Sequence, residues 1–270
     1  MSKVIESRIQ TFKASIEEMS PSKVKMAIKK EVKLLLSEYK ATSVRRYLTL
    51  YRKALKDFKS VDYKDIRLDD KSQRKIEVAQ SKKVAKTNKK LLRIRRYERL
   101  ISDAIELLDS DKVSEITCAL CLLTGRRMSE ILKTAKFTNS RNSQKVVMFK
   151  GQLKTRDQNS KYEIYTLGNS RDKCKKALKR LRQIANTKNL SPEQVNSKYK
   201  STVNYKVTPL FGKYIGTASA HDLRKVYITI ASKLYKDDSQ SDNSFYSQIL
   251  GHNSEDLSTA NTYHKYYVKN

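Results

Sequence analysis

The 270-residue sequence predicts a mainly α protein with one small antiparallel β-sheet, an α+β class. Three observations carry this. Apolar residues recur at helical spacing through most of the chain, and β-prone runs are confined to residues 145–168. Gly and Pro, which punctuate short strands and tight turns, number only 6 and 3.

Taken in order, "SPSKVKMAIKKEVKLLLSEYK" reads as a helix with Ser20 as N-cap and Pro21 at its first position. "TSVRRYLTLYRKALKDF" comes next, with Val44, Tyr47, Leu48, Tyr51, Leu55 and Phe58 on one face and a basic face opposite. The polar stretch "KSVDYKDIRLDDKSQRK" is expected to be a boundary or a long connection. Helical spacing resumes in "NKKLLRIRRYERLISDAIELL" and "DKVSEITCALCLL". "KVVMFKGQLKTR" and "KYEIYTLG", separated by "DQNS", predict a hairpin. Two further helices, "RDKCKKALKRLRQIAN" and "AHDLRKVYITIASKLY", are joined by polar connections. The expected division is a helical N-terminal domain over residues 1–88 and a second domain over residues 89–270.

Charge is the strongest global signal. Lys and Arg total 58 against 28 Asp and Glu, a net +30. A surplus of this size repels itself unless a polyanion neutralises it, and nucleic acid is the expected partner. Residues 71–100 alone hold twelve Lys or Arg and two Glu, which suits either a solvated linker or a strap along a phosphate backbone. No apolar run is long enough to span a membrane, and the N-terminus lacks the apolar block of a secretory signal, so an intracellular protein without membrane attachment is expected. Cys118, Cys121 and Cys174 suit a reducing compartment. The CxxC spacing of "CALC" lacks a second pair and reads as helix packing rather than a metal or redox site.

Five short pieces remain. "TGRRMSEIL" gives Arg127 and Glu130, and "GQLKTR" puts Lys154 near the hairpin tip. "AHDLRKVY" gives His221 and Arg224, one helical turn apart; "ILGH" gives His252; "STANTYHKYYV" gives Tyr263, Tyr266 and Tyr267. Singly, each has an ordinary reading as a cap, a surface pair or a packing stripe. Their order is more telling, because only three histidines exist and two of them, His221 and His252, sit in "AHDLRKVY" and "ILGH".

That order resembles the tyrosine recombinases, the integrase-type DNA strand-exchange enzymes. "TGRRMSEIL" is similar to their first box, "AHDLR" to the H-x-L-R box and "LGH" to the second-histidine box. The resemblance implies Arg127, Lys154, His221, Arg224, His252 and Tyr263 as catalytic residues, an N-terminal DNA-clamping domain (1–88) and a catalytic domain (89–270). It implies double-stranded DNA as partner, a dimer or tetramer on DNA, and no cofactor or metal. It also implies a nucleoid-associated setting such as a phage or plasmid. "TGRR", "GQLKT" and "LGHxxxDxxTA" further resemble the telomere resolvase (protelomerase) branch, which makes hairpin DNA ends. There is a departure: the position nine residues after His252, where the family usually has its tyrosine, is Asn261 here. Aligning Thr259 with the threonine that precedes the nucleophile points to Tyr263, with Tyr266 and Tyr267 as alternatives. Seven residues lie beyond Tyr263, so subunits are expected to communicate through a short tail or the N-terminal domain.

The implied chemistry suits these residue types. Two guanidiniums donate in bidentate fashion to phosphate oxygens and stay charged at any working pH. The tyrosine, with an unperturbed pKa of about 10, needs nearby cations and a proton acceptor such as His221. Lys154 would protonate the 5′ oxygen as it leaves, and Glu130 would be structural, orienting either Arg127 or a helix terminus. The rival expectations are a type IB topoisomerase-like relaxing enzyme and a catalytically inactive DNA-binding protein of the same fold.

Overall fold

The computed structural model describes residues 3–141, 143–153, 161–251 and 257–269. The chain forms two compact units, Met1–Ala85 and Lys86–Asn270.

In the first unit, α1 (Lys3–Ser15), α2 (Pro21–Glu38) and α3 (Ala41–Ala54) surround a core that includes Ile5, Ile28, Leu35, Val44, Leu48 and Tyr51. Ser20 holds the N-cap position of α2 and Pro21 starts the helix, as expected, although the serine side chain makes no cap bond. The predicted stripe on α3 is the buried one, with Leu55 and Phe58 lying past its end. A partly buried polar cluster sits among these helices. Arg8 donates from Nε to Glu31 (2.7 Å) and from Nη1 to Glu38 (2.6 Å), while the Tyr51 hydroxyl donates to Glu31.

The stretch expected to be a boundary or a long connection is a long connection between α3 and the next helix, and it is anchored in the core. Val61, Ile66 and Leu68 are buried in the N-terminal core, and Arg52 Nε donates to the Ile66 carbonyl (2.9 Å). Sparse apolar residues in a polar segment anchor it without any helical or strand period, so the pattern does not register them. The basic run after it is not an open linker over residues 70–89: it forms α4 (Asp70–Lys89), on which Ile76 alone is buried.

The second unit opens with a correction. Residues 92–94, expected to be helical, form strand β1 (Leu92–Ile94), and α5 begins only at Tyr97 (Tyr97–Glu106). The central element is α6 (Val113–Thr124), buried at Ser114 and from Ile116 to Thr124 and packed by α5, α7 (Arg171–Ala185), α8 (Pro192–Ile215) and α9 (Ala220–Tyr235). An apolar helix enclosed on all faces accounts for "CALC". Cys118 and Cys121 are buried, and burial pushes the Cys118 thiol up to about 12, far from a reactive thiolate.

The hairpin is present as β3 (Val146–Lys150) against β4 (Lys161–Tyr165), with Val147 opposite Ile164. A third strand, β2 (Lys136–Asn139), pairs antiparallel with β3. Helix α8 was not foreseen; it occupies what reads as polar connection. Its start was legible, because Ser191 and Gln194 form a reciprocal capping box around Pro192. Helix α10 (Asp242–Leu250) leads through a 3₁₀ turn (Leu257–Tyr263) to β5 (Tyr266–Val268). β5 pairs in parallel with β1, making a second sheet that was also not foreseen. Among the described residues, no helix is long and apolar enough to cross a membrane.

Candidate active site

The site is built from two glycine turns and the start of one helix. α6 ends at Gly125, whose φ of +66° is left-handed, and a Cβ there would lie 2.1 Å from the Tyr227 ring. Only glycine lets the chain turn so tightly against that ring, and the turn delivers Arg126 and Arg127. The two arginines part at once. Arg126 goes inward and is 0% exposed; Arg127 stays partly open.

Glu130, also 0% exposed, orients Arg127. Its carboxylate accepts from the Arg127 backbone N–H (2.9 Å), from Arg127 Nη1 (2.7 Å) and from the Leu153 N–H (3.1 Å). It lies in a short π-helical turn (Glu130–Thr134), a geometry found often at functional sites. Burial alone would raise its pKa, but Arg224, Arg126 and Arg127 together hold it below the usual carboxylate range.

Helix α9 supplies the other half. Its start is fixed by a capping box in which Asp222 accepts from the Ser219 N–H (3.0 Å) and hydroxyl (2.9 Å). The first turns then present His221 and Arg224. Arg224 is 1% exposed and donates three ways: Nη1 to the Gly125 carbonyl (2.6 Å), Nη2 to the Leu250 carbonyl (3.2 Å) and Nε to the Tyr263 hydroxyl (3.3 Å). It therefore joins both glycine turns to the tyrosine. His221 is exposed to solvent, and its ring centroid lies 6.1 Å from that of Tyr263. Desolvation, with Lys225, Arg224 and Arg127 nearby, lowers its pKa and keeps the imidazole neutral near pH 7.

Of the three tyrosines left open by the sequence, Tyr263 is the one whose hydroxyl meets an arginine. Tyr266 is buried in β5, and burial raises its pKa, the wrong direction for a nucleophile. Tyr267 is 42% exposed. The segment around Tyr263 is held on both sides. Asn243 of α10 donates to Asn261 (3.0 Å) and bonds His264 Nε2 (2.9 Å), while Lys265 pairs with Asp222 (2.8 Å).

Thus Arg127, His221, Arg224 and Tyr263 come together in one cluster. Lys154 and His252 lie outside the described residues; their neighbours Leu153 and Gly251 both border it through Glu130 and Arg224's partner Leu250. Sequence reasoning missed Arg126. Its signal was the arginine pair itself: after a buried helix and a one-glycine turn, adjacent side chains diverge and one must point inward. Three guanidiniums around a single carboxylate leave a surplus of two positive charges, suited to a phosphorane that gains negative charge as a phosphodiester is attacked.

Comparison with known proteins gives the family and the fold. Residues 74–266 match the family described as the telomere resolvase ResT/TelK catalytic domain. A protelomerase TelA covalently complexed with substrate DNA shares the fold, with a TM-score of 0.86 at 22% identity, over 99% of this chain and 89% of that one. A TelA variant complexed with a DNA hairpin product matches equally well, over 98% and 88%. Protelomerase TelK complexed with substrate DNA has a TM-score of 0.66 at 19% identity; 99% of this chain is covered but 58% of TelK. No curated protein sequence matches the chain. The chain belongs to the telomere resolvase (protelomerase) branch of the tyrosine recombinases.

Proposed function

We propose that Tyr263 is the nucleophile with which this telomere resolvase cuts DNA, and that Arg127 and Arg224 grip the scissile phosphate. Membership of the family carries DNA strand cleavage and rejoining that ends in hairpin telomeres. The observation that carries the residue assignment is the Arg224–Tyr263 contact of 3.3 Å inside a pocket with a double positive surplus.

The steps balance without an external energy source. The Tyr263 oxygen attacks phosphorus while His221 accepts the phenolic proton. The bond from phosphorus to the 5′ oxygen breaks, and Lys154 gives that oxygen a proton. The product is a 3′-phosphotyrosyl link and a free 5′-hydroxyl. Attack by a 5′-hydroxyl from the opposite strand then releases Tyr263 and closes a hairpin. Guanidiniums and His252 would stabilise the phosphorane. Since both strands must be cut, at least two copies act together on duplex DNA. The solved protelomerases held on substrate or hairpin DNA support this assignment, and so do the basic faces of α3 and α4 as clamps for the phosphate backbone.

A nicked duplex whose short 3′ flank diffuses away after cleavage tests the assignment. The intact chain should give an SDS-resistant protein–DNA adduct, and Tyr263→Phe should give none. An adduct that persists in Tyr263→Phe and disappears in Tyr267→Phe would overturn it.

A further inference from the structure

The turn that carries Tyr263 is pinned at its flanks more firmly than at its phenol. The hydroxyl meets Arg224 Nε at 3.3 Å, the weak end of a hydrogen bond. The residues on either side are bound at closer range, and to two different helices. Ala260, Tyr263 and Tyr266 are buried in the core, while the polar residues among them, Asn261, His264 and Lys265, make their contacts with α10 and α9.

A single amide holds the α10 flank. Asn243 Nδ2 donates to Asn261 Oδ1 (3.0 Å), and Asn243 Oδ1 accepts from His264 Nε2 (2.9 Å). One side chain thus grips the chain two residues before Tyr263 and one residue after it. The His264 ring also lies against Tyr246 of α10, with centroids 5.0 Å apart. On the α9 flank, Lys265 Nζ pairs with Asp222 (2.8 Å). Asp222 is itself fixed, because it accepts from the Ser219 N–H and hydroxyl in the capping box of α9. The Lys265 side chain is 22% exposed and that of Asp222 15%, so salt screens the pair less than it would one on the open surface. Helix α9 also carries His221 and Arg224. The pair therefore ties the Tyr263 turn to the helix that bears half of the cluster.

We infer that Asn243, Asp222 and Lys265 are positioning residues that keep the Tyr263 turn docked, so that the phenol stands in line with phosphorus before cleavage begins. This rests on Tyr263 as the nucleophile. The gain is one of effective concentration. A phenol on an undocked turn samples many positions, and docking it in advance removes that search from the barrier to cleavage. Once the phosphotyrosyl bond has formed, the bond itself holds the oxygen at phosphorus. Rejoining, in which a 5′-hydroxyl attacks phosphorus and the Tyr263 oxygen leaves, no longer depends on the latch.

The test measures both steps in the parent, Asn243→Ala and Lys265→Met. Alanine suits the first turn of α10, and Lys265→Met leaves Asp222 its two Ser219 donors, so both variants should fold. Cleavage is followed as adduct formation on the nicked duplex, at saturating protein and in a single turnover. Rejoining is followed as loss of the isolated adduct after a complementary strand with a 5′-hydroxyl is added in excess. Each variant should cleave about 10- to 100-fold more slowly than the parent yet rejoin within about threefold of its rate. Affinity for uncut duplex should be unchanged, and Lys265→Arg, which keeps the ion pair, should recover most of the cleavage rate. Both rates are read on folded, DNA-bound protein, so a modest fall in melting temperature leaves the comparison intact. Equal slowing of cleavage and rejoining overturns the inference, since it marks damage to the groups that grip the phosphate. A parental cleavage rate in either variant overturns it too. If Tyr263→Phe run alongside still forms adduct, the nucleophile assignment fails instead, whatever the latch variants do.

Discussion

Replacing Glu130 by Gln removes one oxygen charge and changes almost nothing in shape. The carboxylate accepts three hydrogen bonds, two of them from Arg127, and lies among three guanidiniums. An amide in its place keeps one acceptor but turns an N–H toward a donor, and it leaves three buried or half-buried cations without their counter-ion. Breaking a buried pair from one side costs about 3–5 kcal/mol. For a unit of this size, that corresponds to a melting-temperature loss of about 6–20 °C. The pH dependence has a definite sign. The folded pKa of Glu130 lies below its unfolded value of about 4.3, so its stabilisation is complete above that value and is lost as pH falls through the folded pKa. The gap between the two proteins should therefore be widest at neutral pH and shrink in acid. The variant pocket holds one more unit of positive charge, so sulfate should raise its melting temperature more than that of the unmodified chain at matched ionic strength. Thermal melts across pH, with sulfate against chloride, read all of this. A Glu130→Gln protein that melts within a degree or two of the parent would refute the counter-ion argument.

The proposed base and the glycine turn give two further tests. Because the His221 pKa is lowered, the acidic limb of the cleavage rate should have its midpoint below about 6.5; His221→Gln should abolish that limb and slow cleavage about 10²- to 10⁴-fold at neutral pH. A midpoint above that value would show that another group accepts the proton. Gly125→Ala forces a side chain into left-handed backbone and into the Tyr227 ring, which should cost about 2–5 kcal/mol. Urea unfolding reads this, and a change under about 1 kcal/mol would mean that the turn relaxes freely.

The helices were legible where one face repeats at helical period, as in α3 and α9, because a single buried stripe leaves a clean pattern. The hairpin was legible for the corresponding reason. The elements that escaped notice had short or mixed patterns. β1 and β5 are three residues each, and "LRI" inside a basic run looks like more helix until its partner is known. α8 is polar along much of its length, and its capping box was the only local cue. The arginines, His221 and Tyr263 were singled out through the order of short boxes, and the structure brings them together. Arg126, Asn243 and Lys265 were not, because nothing in a linear string distinguishes a polar brace from the many basic and polar residues on the surface.

The parallel pairing of Leu92 with Tyr266 joins the opening of the second unit to the segment just beyond Tyr263. Nearly all of that unit lies between the two strands in sequence, so this ladder is among the most non-local contacts in the fold. Arg127 and Arg224 are set by helices inside that span, whereas the phenol depends on the closure at its margins. If Tyr263 is the nucleophile, as proposed, a nascent or partly frayed chain can assemble its cationic cluster and still be unable to cut, so that the blade arrives only when the hilt is complete.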